Sequence, residues 1–559
     1  MNKSEKVWAA LLAVGLLAYL GWQMLAPKPE ASLATAIVKA SSAPAAQVQP
    51  VAAAQAPVAT PSQEAAAAPV APEQLLVLKN EEVALTVSTH GARVVKAELL
   101  KYRAENREDS PHVTLQTGDL LGLQFGAGAP WAVYEPLESP AGELRLQAHL
   151  ANGIEMVRTL RLGEHYAVEV FDAFTAAQAT TLPAHTLSAG AMALGTESGD
   201  VLGVDVLPPG ESKPIYLESE LGKILGARKG FLGCGTSSDP AGVPLMGTRD
   251  FPGSNGWVAL KNRFFVALLS APSENIQVAA MRDGLAKQVK VNRVQATLSC
   301  PELAVPAGTP HVVMQQLYVG PKQLSSLSAF GRDADRVMDF GFFGWVCKLL
   351  LPILNGFYWL IPNYGVAIIL LTLLVRVVFW PLTHKSTVAM RKMSVIQPQI
   401  KALQQQFKDQ PQKIQQETFK LYREHKVNPF SSCLPMLVQI PIFFALFVVL
   451  RSAVELRFAS FLWISDLSQP ENLLAGVLPV PLNILPILTA VTMGLQTALS
   501  PSTGDAAQKK MMTWMMPIML LFMFYSMPSA LCLYWTVSQG LSILQMWQIR
   551  RKAGDGAAA

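Results

Sequence analysis

Apolar positions along the chain change their period twice, and each change marks a different kind of element. Val7 to Leu25 is an almost unbroken apolar run behind Lys3 and Lys6; at 1.5 Å per residue it reaches roughly 28 Å, one hydrocarbon core. Bulky Trp22-Gln23-Met24-Leu25 stand where a cleavage site needs small residues, so residues 1–26 predict a retained anchor with its N-terminus inside rather than a removed leader. Residues 27–72 are mostly Ala, Pro, Gln, Ser and Val. They bury too little apolar surface to offset ordering entropy and read as a semi-extended tether. From 73 to 330 the period becomes two, as in Val83, Leu85, Val87 and again in Tyr166, Val168, Val170. Turn signals punctuate these runs at His90-Gly91, Asn152-Gly153 and Pro208-Pro209-Gly210. A large antiparallel all-β sandwich is expected, outside the cytoplasm because it follows an inward-starting anchor.

Beyond residue 330 the apolar runs lengthen. Residues 331–363 mix Phe340, Phe342, Phe343, Trp345, Leu349, Leu350, Phe357, Tyr358 and Trp359 with Lys348 and Asn355, which suits a helix lying in the headgroup layer. Five spans are expected within 364–552: Tyr364 to Leu382, Leu434 to Leu450 through Pro435 and Pro441, Leu482 to Leu499, and two from Met511 to Gln548. That last run is too long for one crossing, and Ser526-Met527-Pro528-Ser529 breaks it. With the anchor this makes a membrane α-helical bundle of six transmembrane helices, followed by a tail over 553–559. Residues 383–430 carry two amphipathic stretches. Met393, Ile396, Ile400, Leu403 and Phe407 mark the first, and Ile414, Leu421 and Tyr422 the second. Asp409-Gln410-Pro411 is the turn of a cytoplasmic helical hairpin with a basic exterior.

Composition supports a membrane protein of more than one domain: 559 residues, 51% apolar and only 15% charged. The net charge of +5 matters less than its placement. Lys and Arg gather at Lys3 and Lys6, at Lys385 to Lys426, at Lys509-Lys510 and at Arg550-Arg551-Lys552. The positive-inside rule puts all four groups in the cytoplasm, with both termini, and six spans satisfy it where five do not. Cys234 and Cys300 both fall in the β region, where they could pair or, more plainly, stand as buried thiols. The eight histidines are dispersed. There is no metal-spaced cluster, phosphate loop or nucleophile elbow, so neither metal, cofactor nor catalysis is expected.

Arg376 is the sharpest candidate. It stands in an otherwise apolar span about five residues, or roughly 8 Å of helix, before Pro381. A guanidinium at that depth costs a few kcal/mol on insertion scales. No other expected span carries Asp or Glu, which leaves a water-filled cavity or snorkelling to the headgroups. Thr372 on the same span, and Gln439, Asn483, Thr492, Gln496, Thr536, Ser538, Gln539 and Ser542 on others, could line such a cavity. Each taken singly is an ordinary interhelical hydrogen-bonding residue. Met512, Met516, Met519, Met523 and Met527 recur on one helical face. They make either plain packing or an adaptable surface for unrelated apolar segments. A solute transporter and a membrane-anchored carbohydrate-active protein remain as alternatives. The first would need acidic or discontinuous-helix sites at mid-membrane.

Several short segments occur in order: Ile361-Pro-Asn-Tyr-Gly-Val-Ala-Ile-Ile369 leading to Arg376, Lys426-Val-Asn-Pro-Phe430, Cys433-Leu-Pro435, Gln439-Ile-Pro-Ile-Phe443, and Leu533-Tyr534-Trp535 with Val537-Ser538. Gly163-Glu-His-Tyr-Ala-Val168 and Trp257-Val-Ala259 add a looser match. Together these resemble the YidC family of membrane protein insertases, in its Gram-negative form with a large periplasmic domain. The resemblance implies a bacterial inner-membrane protein that inserts and helps fold other membrane proteins, alone or beside the Sec translocon. It implies a hydrophilic groove, open to cytoplasm and lipid, whose arginine is Arg376. Gln439 belongs with that groove, and Thr372 and Tyr534 or Trp535 match substrate-contacting positions. The family usually has two tyrosines at the last pair, from which Trp535 departs. Incoming apolar segments would slide along Leu437 and its span and along Met512, Met516, Met519 and Met523. Partners implied are nascent membrane proteins, membrane lipids and, at the hairpin, the ribosome and the signal recognition particle receptor. The β region would be a sugar-epimerase-like supersandwich without catalysis.

Overall fold

A computed structural model describes the chain from residue 72 onward, except for 127–128, 151–152, 195–200, 212, 226–244, 254–255, 283–290, 409, 426–433, 476, 478–480, 500–505 and 556–559. The expected anchor over 1–26, the tether over 27–71, Cys234, Asp409 and the segment containing Asn428-Pro429 lie outside the described residues.

The β region forms three larger antiparallel sheets. Leu75–Lys79, Val83–Ser88, Arg93–Arg103 and His112–Leu115 make a four-stranded meander. The nine-stranded sheet is centred on Phe265–Ser270, His311–Pro321 and Ala167–Ala176. A five-stranded sheet runs Met246–Pro252, Asn275–Arg282, Val291–Cys300, His185–Ala193, Leu123–Gln124. Strand Ala167–Ala176 alternates buried and half-buried positions along its whole length, which sends Val168, Val170, Asp172 and Phe174 inward. Trp257–Lys261 and Phe265–Ser270 are instead buried at every position, covered on both faces. One apolar core joins the sheets, with Val170, Val258 and Leu268 from the nine-stranded sheet meeting Leu187, Val278 and Leu298 from the five-stranded one.

Eight helices follow among the described residues: α1 (Gly344–Leu360), α2 (Tyr364–Val378), α3 (Trp380–Gln406), α4 (Pro411–Glu424), α5 (Leu434–Ser452), α6 (Ile484–Leu499), α7 (Ala506–Phe524) and α8 (Ser529–Asp555). Asn363 caps α2, its side chain accepting from the Val366 amide. The hairpin helix α3 begins at Trp380, ahead of the boundary expected at 383, because Pro381 fits the first turn, where its missing donor costs nothing. Helices α3 and α4 close on each other through Ile396, Ile400, Met393, Leu421 and Tyr422. No single described helix is long and apolar enough to cross a membrane; Tyr364–Val378 and Trp380–Met390 meet that length together, with a 62° bend between them.

The connection from α5 to α6 ties the two regions together. Arg263 of the β region donates to the Arg451 carbonyl at 2.8 Å and the Ser468 carbonyl at 2.6 Å. In return Arg457 donates to the carbonyls of Arg103 and Ala104 at 2.5 and 2.9 Å. The same connection reaches the helix ends. Asn363 donates to the Ser460 carbonyl at 3.3 Å, and the Ser529 hydroxyl donates to the Gln469 carbonyl at 2.7 Å. Gly365 makes room for it, since a Cβ there would lie 2.1 Å from the Phe461 ring.

Candidate functional site

Arg376 stands in the last turn of α2, where a cation meets the negative end of the helix dipole. It is half-buried. Its Nε donates to the Ser538 hydroxyl at 3.1 Å, and its Nη2 donates to that hydroxyl at 2.5 Å and to the Ser538 carbonyl at 2.7 Å. No carboxylate pairs with it among the described residues; the ionisable group facing it is the Tyr534 phenol. Ser538 itself is 5% exposed.

Helix α8 supplies a polar stripe through an otherwise apolar segment. Ser538, Ser542 and Gln545 recur at helical spacing, so they share a face over roughly 10 Å. Ser542 donates to the Ser538 carbonyl at 3.1 Å, and Gln545 donates to the Thr383 hydroxyl of α3 at 3.1 Å. One turn before Ser538, the buried Tyr534 hydroxyl accepts from Gln439 of α5 at 2.6 Å. Trp535 packs edge-on against Phe443, ring centres 5.0 Å apart, and against Phe524 at 5.6 Å. Its buried indole N–H has no partner among the described residues.

The structure therefore gathers Arg376, Ser538, Tyr534 and Gln439, with Trp535 alongside. Thr372 is buried and its hydroxyl donates back to the Ile368 carbonyl at 2.7 Å, so it lends volume rather than a free donor. Other polar residues read from the sequence serve helix contacts. Thr536 meets Thr489 at 2.7 Å, Asn483 donates to the Tyr525 carbonyl at 2.8 Å, and Thr492 bonds the Leu488 carbonyl of its own helix. Met516, Met519 and Met523 are exposed on α7 beside Trp514, Ile518 and Phe522, while Met527 packs into the core. Leu437 and Met512 lie on α5 and α7, but their side chains are outside the described residues. Sequence reasoning did not single out the Thr383–Gln545 tie. The regular spacing of Ser538, Ser542 and Gln545 was the signal available for it.

Chemically, this arrangement offers a cation and neutral hydrogen-bonding groups, with no nucleophile held by a base. Among the described residues no group of acidic, His and Cys side chains could hold a metal. It can attract an anion and release it. Apolar helices packed around Arg376 and joined to a β-sheet domain are the architecture of a membrane protein that carries a large folded domain.

Two family models divide the chain along the same line. Residues 356–555 match the 60Kd inner membrane protein family, and residues 75–187 and 248–353 match the YidC periplasmic domain. A membrane protein insertase YidC from Syntrophobacter fumaroxidans is 33% identical over 483 residues, 84% of this chain and 85% of that protein. Another from Pelobacter propionicus is 40% identical over 303 residues, 54% of this chain and 55% of its own length. The match thus spans about half the length of that second relative. A crystal structure of an active YidC insertase with its first transmembrane domain resolved aligns with 85% of this chain and 94% of its own, at 21% identity and a TM-score of 0.35. The chain belongs to the YidC family of inner-membrane proteins.

Proposed function

We propose that the chain is a membrane protein insertase that receives nascent membrane proteins through a groove lined by Arg376, Ser538, Gln439, Tyr534 and Trp535. The observation that carries this reading is Arg376, a cation among apolar helices with no carboxylate partner among the described residues. A group kept without a counter-charge can take one from a client. The polar extracytoplasmic tail of an arriving protein, often acidic, rests against Arg376 while its apolar segment lies along the exposed face of α7. Water in the groove shortens the apolar distance the tail must cross and screens the pair, so the contact is transient. Burial of the client's apolar segment in lipid then drives release.

In this proposal the membrane part has six spans, counting the N-terminal run, with both termini in the cytoplasm. The basic hairpin α3–α4 meets the ribosome or the signal recognition particle receptor, and the Sec translocon is a partner for larger clients. The β domain is external and non-catalytic. A cavity of about 80 Å³ between its sheets is lined in part by Asp172, but that carboxylate already accepts from Arg158 and Gln315 and is not free to act as a base. The transporter alternative loses ground because α1, α2, α5, α6 and α7 contain no Asp or Glu.

Reconstitution into proteoliposomes with a single-span client bearing an acidic tail tests the reading. Arg376→Ala should lower insertion about tenfold, equivalent to roughly 1.4 kcal/mol, and Arg376→Lys should keep most of it. Undiminished insertion by the alanine variant would remove the groove from the account.

A further inference from the structure

We propose that Ser538 is an internal stand-in for the client's acidic tail: it holds Arg376 in the resting protein and is displaced when a tail arrives. The inference rests on the insertase reading and adds to it a residue that sets how readily the groove accepts negative charge.

The geometry is that of a receptor site filled from within. Two nitrogens of one guanidinium converge on one residue in three contacts, at 2.5, 2.7 and 3.1 Å. That fork is the one arginine presents to a carboxylate, yet the acceptors here are a hydroxyl and a backbone carbonyl. The carbonyl is also shared, since Ser542 donates to it at 3.1 Å. A neutral, shared acceptor holds a guanidinium less firmly than a carboxylate does. Without any acceptor the cation would be stranded among apolar helices, which is costlier still. Ser538 therefore satisfies Arg376 enough to keep the empty groove tolerable and too weakly to keep out an acidic tail. Tyr534 stands nearby, but its hydroxyl is engaged by Gln439 at 2.6 Å and the guanidinium bonds Ser538 instead.

A simpler view makes Ser538 only a tie between α2 and α8. The two views part on the charge of the client. Two clients differing only in an acidic or a neutral tail are inserted by full-length protein in proteoliposomes. Ser538→Asp supplies a permanent internal carboxylate and should lower the ratio of acidic-tail to neutral-tail insertion at least fivefold. Ser538→Ala, which removes the hydroxyl but not the carbonyl, should raise the acidic-to-neutral ratio about twofold, and Ser538→Thr should leave it unchanged. Equal loss for both clients with Ser538→Asp, or no change for either, overturns the stand-in. If the aspartate variant does not fold, an unchanged ratio for Ser538→Ala does the same. Arg376→Ala run in parallel separates the two readings. Normal acidic-tail insertion by that variant removes the groove itself, whereas impaired insertion with an inert Ser538→Asp removes only the stand-in.

Discussion

Two arginines, one fully buried and one half-buried, show how differently the β domain and the helices treat a charge. Arg158 is 0% exposed in the nine-stranded sheet and grips Asp172 with both Nε and Nη2 at 2.7 Å. Its Nη1 donates to the Ala92 and Leu121 carbonyls. Asp172 is completed by Gln315 at 2.6 Å. Every charge there is matched, so the group fixes the packing of strands and has nothing left to offer a visitor. Arg376 rests on a serine instead. The contrast teaches that burial alone does not mark a functional charge; the identity of its acceptors does.

The same substitution at both sites should give opposite results, and this is the largest effect expected. Arg158→Met leaves Asp172 buried without its partner and should cost the β domain about 3–5 kcal/mol, read as a lowered denaturation midpoint. Arg376→Met removes a charge that has no carboxylate to strand, so thermal stability should stay within about 1 kcal/mol while acidic-tail insertion collapses. Comparable destabilisation by the two variants would mean that Arg376 is as structural as Arg158, and the comparison would break.

What the sequence made visible follows from how local each signal is. The strand Ala167–Ala176 is legible because one face is buried and the other is not, so the pattern alternates. Trp257–Lys261 gives no such alternation, being covered on both sides. Arg376 stands out because an ionised group in an apolar run is costly wherever the run goes. Its acceptor does not stand out. Ser538 is 162 residues away, and only the packing of α8 on α2 brings them together. Thr372 reads from the sequence as a group that could line a cavity, yet a threonine in a helix can always return its hydroxyl to the carbonyl four residues back, as it does here. The pair Arg158–Asp172 was likewise hidden, because a charged residue on a strand reads as surface until its sheet partners are known.

The smallest effect concerns charges at the root of the β domain, next to the helices. Asp205 meets Lys261 at 2.5 Å, Lys261 donates to the Val337 carbonyl at 3.1 Å, and Lys322 donates to the Asn262 and Arg263 carbonyls at 3.3 and 3.1 Å. Burial, with the Lys261 charge beside it, pushes Lys322 down to about 8, and burial lifts Asp205 to about 6 against the pull of Lys261. An acid raised in the fold makes the protein less stable as pH climbs from its ordinary range to about 6, and is silent above that. A lysine lowered in the fold acts the other way at higher pH: the penalty for its buried charge is full below about 8 and fades as pH rises toward the ordinary lysine range. The interval from pH 7 to 9 therefore isolates Lys322 from Asp205, and stability should rise across it by about 1 kcal/mol. Lys322→Met should flatten that rise, measured by denaturant unfolding of the full chain at both pH values. If the methionine variant gains as much between pH 7 and 9 as the parent, this ammonium is not carrying an uncompensated charge, and the β domain matches its charges at this root as completely as it does at Arg158.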